Sequence, residues 1–275
     1  MIDTANISAR VGALNRSYVD RLYDEAERIR QAMEEESLPA IIDMFERQLE
    51  EIEAKIEALE DDQVVQEDDL LDFIFWFAET YAILSVFLRR WVIIGWRFGS
   101  DVTGANLPAL LQDDPRVTSF LEQMRQNNDN ITANTKEEVR TYLDSVGATF
   151  GRDMKQRTKE VIWHFRQYFE RRGTSIAEMN ANAALLRGYL SAMIAAGVQR
   201  KQWVSQRDTR VRKSHVDADG QIVPIRAPFI VGGAPLLHPV DPKGPPQEIL
   251  RCRCFMVPVV PGFAFPEGPQ PNVGS

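Results

Sequence analysis

Apolar residues recur every three or four positions through the first sixty residues of the chain. This spacing predicts a helix over residues 6–36, which ends in the polar run EEES. Ser37 is typical of a helix N-cap and Pro39 of a first helical turn, so a second helix should begin there. Its apolar seam consists of Ile42, Phe45, Leu49, Ile52, Ile56 and Leu59. Such a seam is typical of a helical hairpin or of a helix that packs on a partner, and we predict an acidic helical hairpin at the N-terminus.

Residues 70–99 are apolar on almost every side of a predicted helix. About 20 apolar residues are needed to cross a bilayer, but Asp72 and Glu79 interrupt this stretch, and a charge inside a membrane is costly. The pattern therefore favours a helix buried in a helical layer or an oligomer over a membrane segment. Together with the seam it predicts a homo-oligomer, because a monomer has difficulty covering so much apolar surface.

Further helical patterns follow, with expected boundaries at Thr135 as a cap and at Gly173 as a stop, up to residue 197. From residue 198 the pattern changes to short strands, in KQWVSQ, QIVPI, PFIV and CFMVPVV, separated by glycines and prolines. We predict a mainly α protein with a small C-terminal β-rich module, an α+β fold. The expected domains are a helical region over 1–197, a β-rich module over 198–260 and a Pro-rich tail over 261–275.

Charge is distributed unevenly along the chain. The formal net charge of −8 argues against generic nucleic-acid binding. Residues 1–62 nevertheless carry 17 acids and 7 bases, whereas residues 140–213 carry 15 bases and 6 acids. This asymmetry suggests two different neighbours, or contact between the two parts in an assembly.

The two cysteines, Cys252 and Cys254, are separated by one residue. A disulfide between such close neighbours would be strained, and two cysteines are too few for a disulfide framework. The sequence therefore favours a reducing compartment, and its first residues show no apolar stretch of the kind found in a signal peptide.

The last part of the chain carries an ordered set of tryptophan, acidic, basic, histidine, glycine and cysteine positions. They are Trp203, Asp208, Arg210, Arg212, His215, Asp219, Gly220, Phe229, Asp241, Pro242, Glu248, Cys252, Arg253 and Cys254. In order and spacing, residues 180–258 resemble the phage Mu F-like minor head protein family. The helix before Trp203 lacks the Arg-Thr-Glu triplet that members often carry, so no role of that triplet is transferred.

The resemblance implies a non-enzymatic protein of phage head morphogenesis. Family members are low-copy procapsid proteins that associate with portal, scaffold or capsid proteins, and some bind packaged DNA. For this chain the resemblance implies a place in the virion, inside the capsid near the portal, and in the host cytoplasm before assembly. No catalytic residue follows from it.

Four bases precede the histidine, and they allow two interpretations. Arg207, Arg210, Arg212 and Lys213 could neutralise phosphates or an acidic partner without reading sequence. Alternatively, some of them form ion pairs with Asp208 and a later carboxylate, which would stabilise the module. Residues 217–220, DADG, predict an Asp-Gly hairpin turn directly after them.

His215, Cys252 and Cys254 form a candidate metal site, with His238 or Asp217 as a fourth ligand. Structural zinc takes four nitrogen or sulfur ligands, usually with at least two residues between paired cysteines, so the spacing here is unusual. The alternative is a buried pair of cysteines that pack as small apolar side chains, with His215 hydrogen-bonded to backbone and no cofactor. A metal-dependent nuclease built on these residues and a membrane-active ejection protein using residues 70–99 stay open as alternative functions.

Overall fold

Helices occupy most of the chain before residue 196, where apolar residues follow helical spacing. The computed structural model describes residues 16–70, 72–146 and 150–259. Its first six helices are α1 (Arg16–Ala58), α2 (Glu67–Leu70), α3 (Phe73–Thr103), α4 (Pro115–Val146), α5 (Gly151–Gln156) and α6 (Thr158–Ala195). The Pro-rich tail over 261–275 and the start of the first predicted helix lie outside the described residues.

Short strands follow α6, as the change in pattern predicts. They are β1 (Arg200–Val204), β2 (Ile222–Pro224), β3 (Phe229–Val231), β4 (Ala234–Leu236) and β5 (Phe255–Val259), with helices α7 (Lys213–Ala218) and α8 (Pro246–Ile249) between them. β1 is the central strand of an antiparallel sheet in the order β2-β1-β5, and β3 pairs with β4. The predicted α+β class, mainly helical with a small antiparallel C-terminal part, is confirmed.

The predicted N-terminal hairpin is wrong, because α1 continues through Pro39 as one helix of 43 residues. Proline removes one helical hydrogen bond, but Pro39 is exposed, so water can satisfy the carbonyl that loses its partner. Buried apolar residues continue at helical spacing on both sides, including Met33 and Ile41. Thr135 and Gly173 likewise lie inside α4 and α6 rather than at helix ends.

The chain forms two compact units, each assembled from distant segments. One contains the described residues up to Glu34, then Leu88–Leu121 and the residues from Glu178 onward; the other contains Glu35–Phe87 and Glu122–Ala177. In the second unit, the seam of α1 is internal. Leu49 and Ile56 are at most 2% exposed, and Phe45 stacks on Phe169 with 4.7 Å between ring centroids. The seam therefore packs within this chain and leaves no stripe that needs a partner.

Helix α3 contains most of the all-round apolar segment. Its buried residues include Trp91, Val92 and Trp96. Among the described residues, none of the helices combines the length and the apolar character needed to cross a membrane.

Two glycines let α3 and α6 approach each other closely in the first unit. A Cβ added to Gly95 would lie 2.2 Å from the carbonyl oxygen of Leu185, and one added to Gly188 would lie 2.1 Å from that of Val92. These atoms belong to helix backbones, which cannot rotate away as a side chain can. The closeness of the two helices therefore depends on glycine at both positions.

We predict that Gly95→Ala and Gly188→Ala each lower the free energy of unfolding by about 1–3 kcal/mol, because they overpack the crossing. In an unpacked helix the same change would raise the free energy of unfolding by about 1 kcal/mol. The sign of the change therefore shows whether the two helices are in close contact. Gly173→Ala is the matched control, since its added Cβ would meet side chains rather than backbone: the movable Cδ1 of Ile42 at 2.9 Å and Cγ2 of Ile41 at 3.4 Å. Chemical denaturation measures all three, and a more stable Gly95→Ala protein would contradict the close crossing.

Candidate functional site

Strand β1 supports the site through Trp203, which is completely buried. The indole lies edge-on to the ring of His215, with 5.7 Å between ring centroids, and edge-on to Phe229, at 5.3 Å. The backbone carbonyl of Trp203 accepts a hydrogen bond from the amide of Gly220. Three other members of the sequence pattern thus meet at this one tryptophan, two at its ring and one at its backbone carbonyl.

His215 lies on α7 between two sulfur atoms and a carboxylate. Its Nδ1 is 3.2 Å from Sγ of Cys254 and 3.5 Å from Sγ of Cys252. Its Nε2 is 3.0 Å from Oε2 of Glu248, which also accepts a hydrogen bond of 2.8 Å from the hydroxyl of Ser214. His215 is 2% exposed and each cysteine is 4% exposed. The structure therefore brings together the three predicted metal ligands.

The carboxylate of Glu248 lies directly against the backbone of Gly232 on the facing turn. Gly232 has a φ of 57°, and a Cβ added there would lie 2.3 Å from Oε1 of Glu248. Only glycine accommodates both this backbone and this approach. Glu248 belongs to the sequence pattern, but its contact with His215 was not predicted.

Two side chains from distant helices fix the backbone of the cysteine segment. The amide of Asn182 donates to the carbonyl of Cys252 at 3.0 Å, and the hydroxyl of Tyr23 donates to the carbonyl of Arg253 at 3.0 Å. These residues lie 70 and 230 positions from their partners. Sequence reasoning missed both, because nothing local marks a polar residue that reaches a distant carbonyl.

The buried thiols and the imidazole shift one another's protonation. A hydrogen bond from Cys254, assisted by His215, lowers the pKa of Cys252 to about 5 against the opposing effect of burial. The hydrogen bond with Cys252 and burial raise the pKa of Cys254. Burial alone would lower the pKa of His215, but the hydrogen bond and charge of Cys252 outweigh it and raise that pKa. The site thus favours a thiolate on Cys252.

Ion pairs inside the module involve two of the acidic residues of the pattern. Arg207 pairs with Asp219 at 2.9 Å, and Asp219 also accepts the backbone amide of Ser205 at 2.8 Å. Both guanidinium ends of Arg253 contact Asp208, at 2.7 and 2.9 Å. Of the four predicted phosphate contacts, Arg207 is therefore engaged internally.

The other three bases differ in exposure. Arg212 donates a hydrogen bond to the carbonyl of Leu250. The side chains of Arg210 and Lys213 are 76% and 83% exposed, and Lys213 pairs with Asp217 at 3.0 Å. We call the exposed pair Arg210 and Lys213 the outer cations; they form the outward face of the basic loop.

The turn after the bases is not the predicted Asp-Gly hairpin. Asp217 lies in α7, which ends at Ala218 with Asp219 as its C-cap, and Gly220 then takes a φ of 81° to lead the chain toward β2. β1 and β2 do pair in antiparallel fashion, but the whole loop with α7 connects them. Asp-Gly is a strong local signal for a tight turn, but here the residues before Asp219 form helix α7 instead.

His238 and Asp241 lie apart from the cysteines. Asp241 accepts hydrogen bonds from the backbone amides of Leu237 at 2.8 Å and Lys243 at 3.1 Å, which fixes a turn. Nδ1 of buried His238 contacts the carbonyl of Pro239 at 2.8 Å. Within the described residues, the cluster of ligand atoms that could share an ion comprises His215, Cys252 and Cys254, with neither His238 nor Asp217. Both predicted fourth ligands are therefore wrong.

The cavity beside the sulfurs is too small for a substrate. It has a volume of about 20 Å³ and is bordered by Gln206, Arg210, Val211 and Arg212 on its outer side. A volume of this size holds about one water molecule. A thiol that contacts an imidazole, which in turn contacts a carboxylate, can serve nucleophilic catalysis. The burial of the sulfurs here favours a structural or binding role.

Comparison with known proteins connects this geometry to a family. Residues 129–257 match the family described as Phage Mu protein F like protein. Over these residues, which are a little under half of the chain, the protein is similar to the Mu F-like family. The matched residues include the bases, His215, Glu248 and both cysteines.

A relative from Haemophilus influenzae, described as an uncharacterized protein, is 25% identical over 170 residues. This similarity covers 58% of this chain but 33% of the relative, so the chain spans about a third of that protein's length. No solved structure matches the chain.

We predict that Asp208→Asn lowers the free energy of unfolding by about 1 kcal/mol at pH 7, the scale of a partly exposed ion pair. Hydrogen bonding to Arg253 holds the pKa of Asp208 below its usual value. The stabilisation is therefore complete above the unfolded pKa of about 4 and disappears as the pH falls through the lower folded pKa.

Thermal unfolding between pH 7 and pH 3 should show that the difference in melting temperature between wild type and Asp208→Asn becomes smaller as the pH falls. Asp217→Asn is the matched control in the same loop, because its pair with Lys213 is exposed at both partners and should contribute little. A gap that widens in acid would exclude the Asp208–Arg253 pair as its source.

Proposed function

We propose that this chain is a non-enzymatic minor head protein, which assembles with portal, scaffold or capsid proteins and contacts packaged DNA through the outer cations. The observation that carries the proposal is the Mu F-like match over residues 129–257, which includes the whole basic loop. Inside the capsid near the portal, such a protein would meet both structural proteins and the phosphates of the genome.

The distribution of ion pairs supports a surface that binds phosphate. The internal pairs of Arg207 and Arg253 stabilise the module, while the side chains of Arg210 and Lys213 point to solvent. Arg251 and Arg226 are also exposed in this part of the chain. Exposed bases attract phosphate through charge alone, independently of base sequence.

The buried sulfurs support a non-enzymatic role. Cys252 and Cys254 are each 4% exposed, and the adjoining cavity holds about one water molecule. A nucleophile acts only where the reacting atom of a substrate can reach it. Proteins of this family are generally structural, which agrees with this interpretation.

Incorporation into phage particles is the first expected outcome. Quantitative mass spectrometry of purified heads and procapsids should detect this chain in both, at a copy number low relative to the major capsid protein. A protein absent from both kinds of particle would contradict a role in the head.

DNA binding by the purified protein should weaken steeply with salt. Each neutralised phosphate contributes about 0.9 to the slope of log affinity against log salt, so Arg210→Ala combined with Lys213→Ala should reduce the slope by about 2. The matched control combines Arg28→Ala with Arg125→Ala, which also removes two exposed, ion-paired bases but from helices α1 and α4. The control should leave the slope unchanged.

Two results would contradict the DNA contact. One is that the protein does not bind duplex DNA at low salt, while Arg210→Ala with Lys213→Ala weakens self-association or portal binding. The basic loop would then contact protein rather than DNA. The other is an equal loss of slope in both double variants, which would show that only the total charge matters.

A further inference from the structure

We propose that His215, Cys252 and Cys254 bind one Zn²⁺ ion, with a water molecule as the fourth ligand and Glu248 as the hydrogen-bonded partner of the histidine. The ion would link α7 to the segment that enters β5. The proposal is independent of whether the outer cations contact DNA.

The distances between the three ligand atoms match a tetrahedral zinc site. Zinc binds cysteine sulfur at about 2.3 Å and histidine nitrogen at about 2.0–2.1 Å. A tetrahedral angle between such bonds places sulfur and nitrogen about 3.5 Å apart. Nδ1 of His215 lies 3.2 Å from one sulfur and 3.5 Å from the other. All three ligand atoms lie within 4.8 Å of one another, so one ion can contact them all.

Hydrogen bonds alone satisfy this arrangement less completely. A ring nitrogen carries either one proton or one lone pair in the ring plane, yet two sulfurs lie against Nδ1 of His215. A single proton or lone pair can serve both contacts only in a bifurcated hydrogen bond. A metal ion at the centre of the three atoms uses the lone pair of Nδ1 and a charge from each thiolate.

The other side of the imidazole has the partner that metal-bound histidines usually have. Histidines that bind a metal almost always donate the second ring proton to a carboxylate, carbonyl or water. An ionised carboxylate only accepts hydrogen bonds, so Glu248 at 3.0 Å places the proton on Nε2 and leaves Nδ1 to the metal. The hydroxyl of Ser214 and the close approach of Gly232 hold this carboxylate.

The small cavity provides the fourth position. No further cysteine, histidine or carboxylate among the described residues joins the cluster, but the cavity of about 20 Å³ borders both sulfurs and His215. This volume accommodates one water molecule. Three protein ligands with one water are the coordination of catalytic zinc sites, but a cavity of this size admits no substrate, so the ion here would link the two segments without catalysis. Thiolate and imidazole in tetrahedral arrangement favour zinc over magnesium or calcium.

Metal content of the full-length protein is the direct test. After loading with Zn²⁺ and desalting, elemental analysis should give one zinc per chain. Replacement by Co²⁺ should give the visible bands of tetrahedral cobalt and a thiolate-to-cobalt transition in the near ultraviolet. Cys252→Ser, Cys254→Ser and His215→Gln should each abolish the thiolate-cobalt spectrum or reduce metal affinity severely. His164→Gln, a histidine change in the other compact unit, is the matched control and should keep one zinc per chain.

Glu248→Gln separates metal binding from folding, because it leaves all three ligands in place. It should keep one zinc per chain at saturation but lower the affinity by about 10–100-fold, as losses of such partners do. Competition with a chromophoric chelator measures this change on protein whose helical circular dichroism is intact.

Three results would overturn the zinc site. They are zinc well below one ion per chain after loading, cobalt binding without a thiolate transition, and two thiols in the zinc-treated wild type that react with a thiol reagent as fast as in chelator-treated protein. None of these bears on incorporation into heads or on the salt dependence of DNA binding, so the zinc site and the proposed function fail separately.

Discussion

The C-terminal module depends on the contact between one imidazole, two sulfurs and a carboxylate. His215 comes from α7, Glu248 from α8, and the cysteines from the segment before β5. These pieces are short, and each could bury little apolar surface alone, so a few directional contacts must supply what a larger core would supply elsewhere. Trp203 on the central strand adds the apolar support for the histidine. Loss of the cluster would leave buried polar atoms without partners, a cost of about 1–3 kcal/mol each.

The same cluster determines which bases remain available to a partner. Arg253 lies between the two cysteines, so fixing the sulfurs also fixes its guanidinium against Asp208. Arg212, at the start of α7, is held by the carbonyl of Leu250. Arg210 and Lys213 stay exposed, while Asp208 and Arg212, close to them in the chain, are fixed by Arg253 and by the carbonyl of Leu250. A basic loop held in this way would lose little ordering entropy on binding the phosphate partner proposed above.

Sequence reasoning predicted the strands and the fold class, because these depend on local alternation. It gave the histidine and both cysteines as a candidate site, beside an alternative in which His215 bonds to backbone. It failed where tertiary packing outweighed a local signal. An exposed Pro39 did not end α1, since packing on both sides continued the helix. The Asp-Gly signal before Gly220 was overridden by α7. Tyr23 and Asn182 could not be found at all, because their roles exist only once distant helices lie beside the cysteine segment.

Backbone strain gives the last reason to regard this region as built for binding. Arg207 and Arg251 have φ values of 58° and 54°, in the left-handed region where residues with a Cβ are uncommon. Such a residue costs about 1–3 kcal/mol and persists only where its surroundings impose it. Both positions directly precede residues of the network, Asp208 in one case and Cys252 in the other. Glycine would relieve the strain at either position, but it would remove the ion pair with Asp219 at Arg207 and an exposed positive charge at Arg251. The internal pair accounts for arginine at position 207, so of the two it is Arg251 that carries the exposed charge suited to the negatively charged partner proposed above.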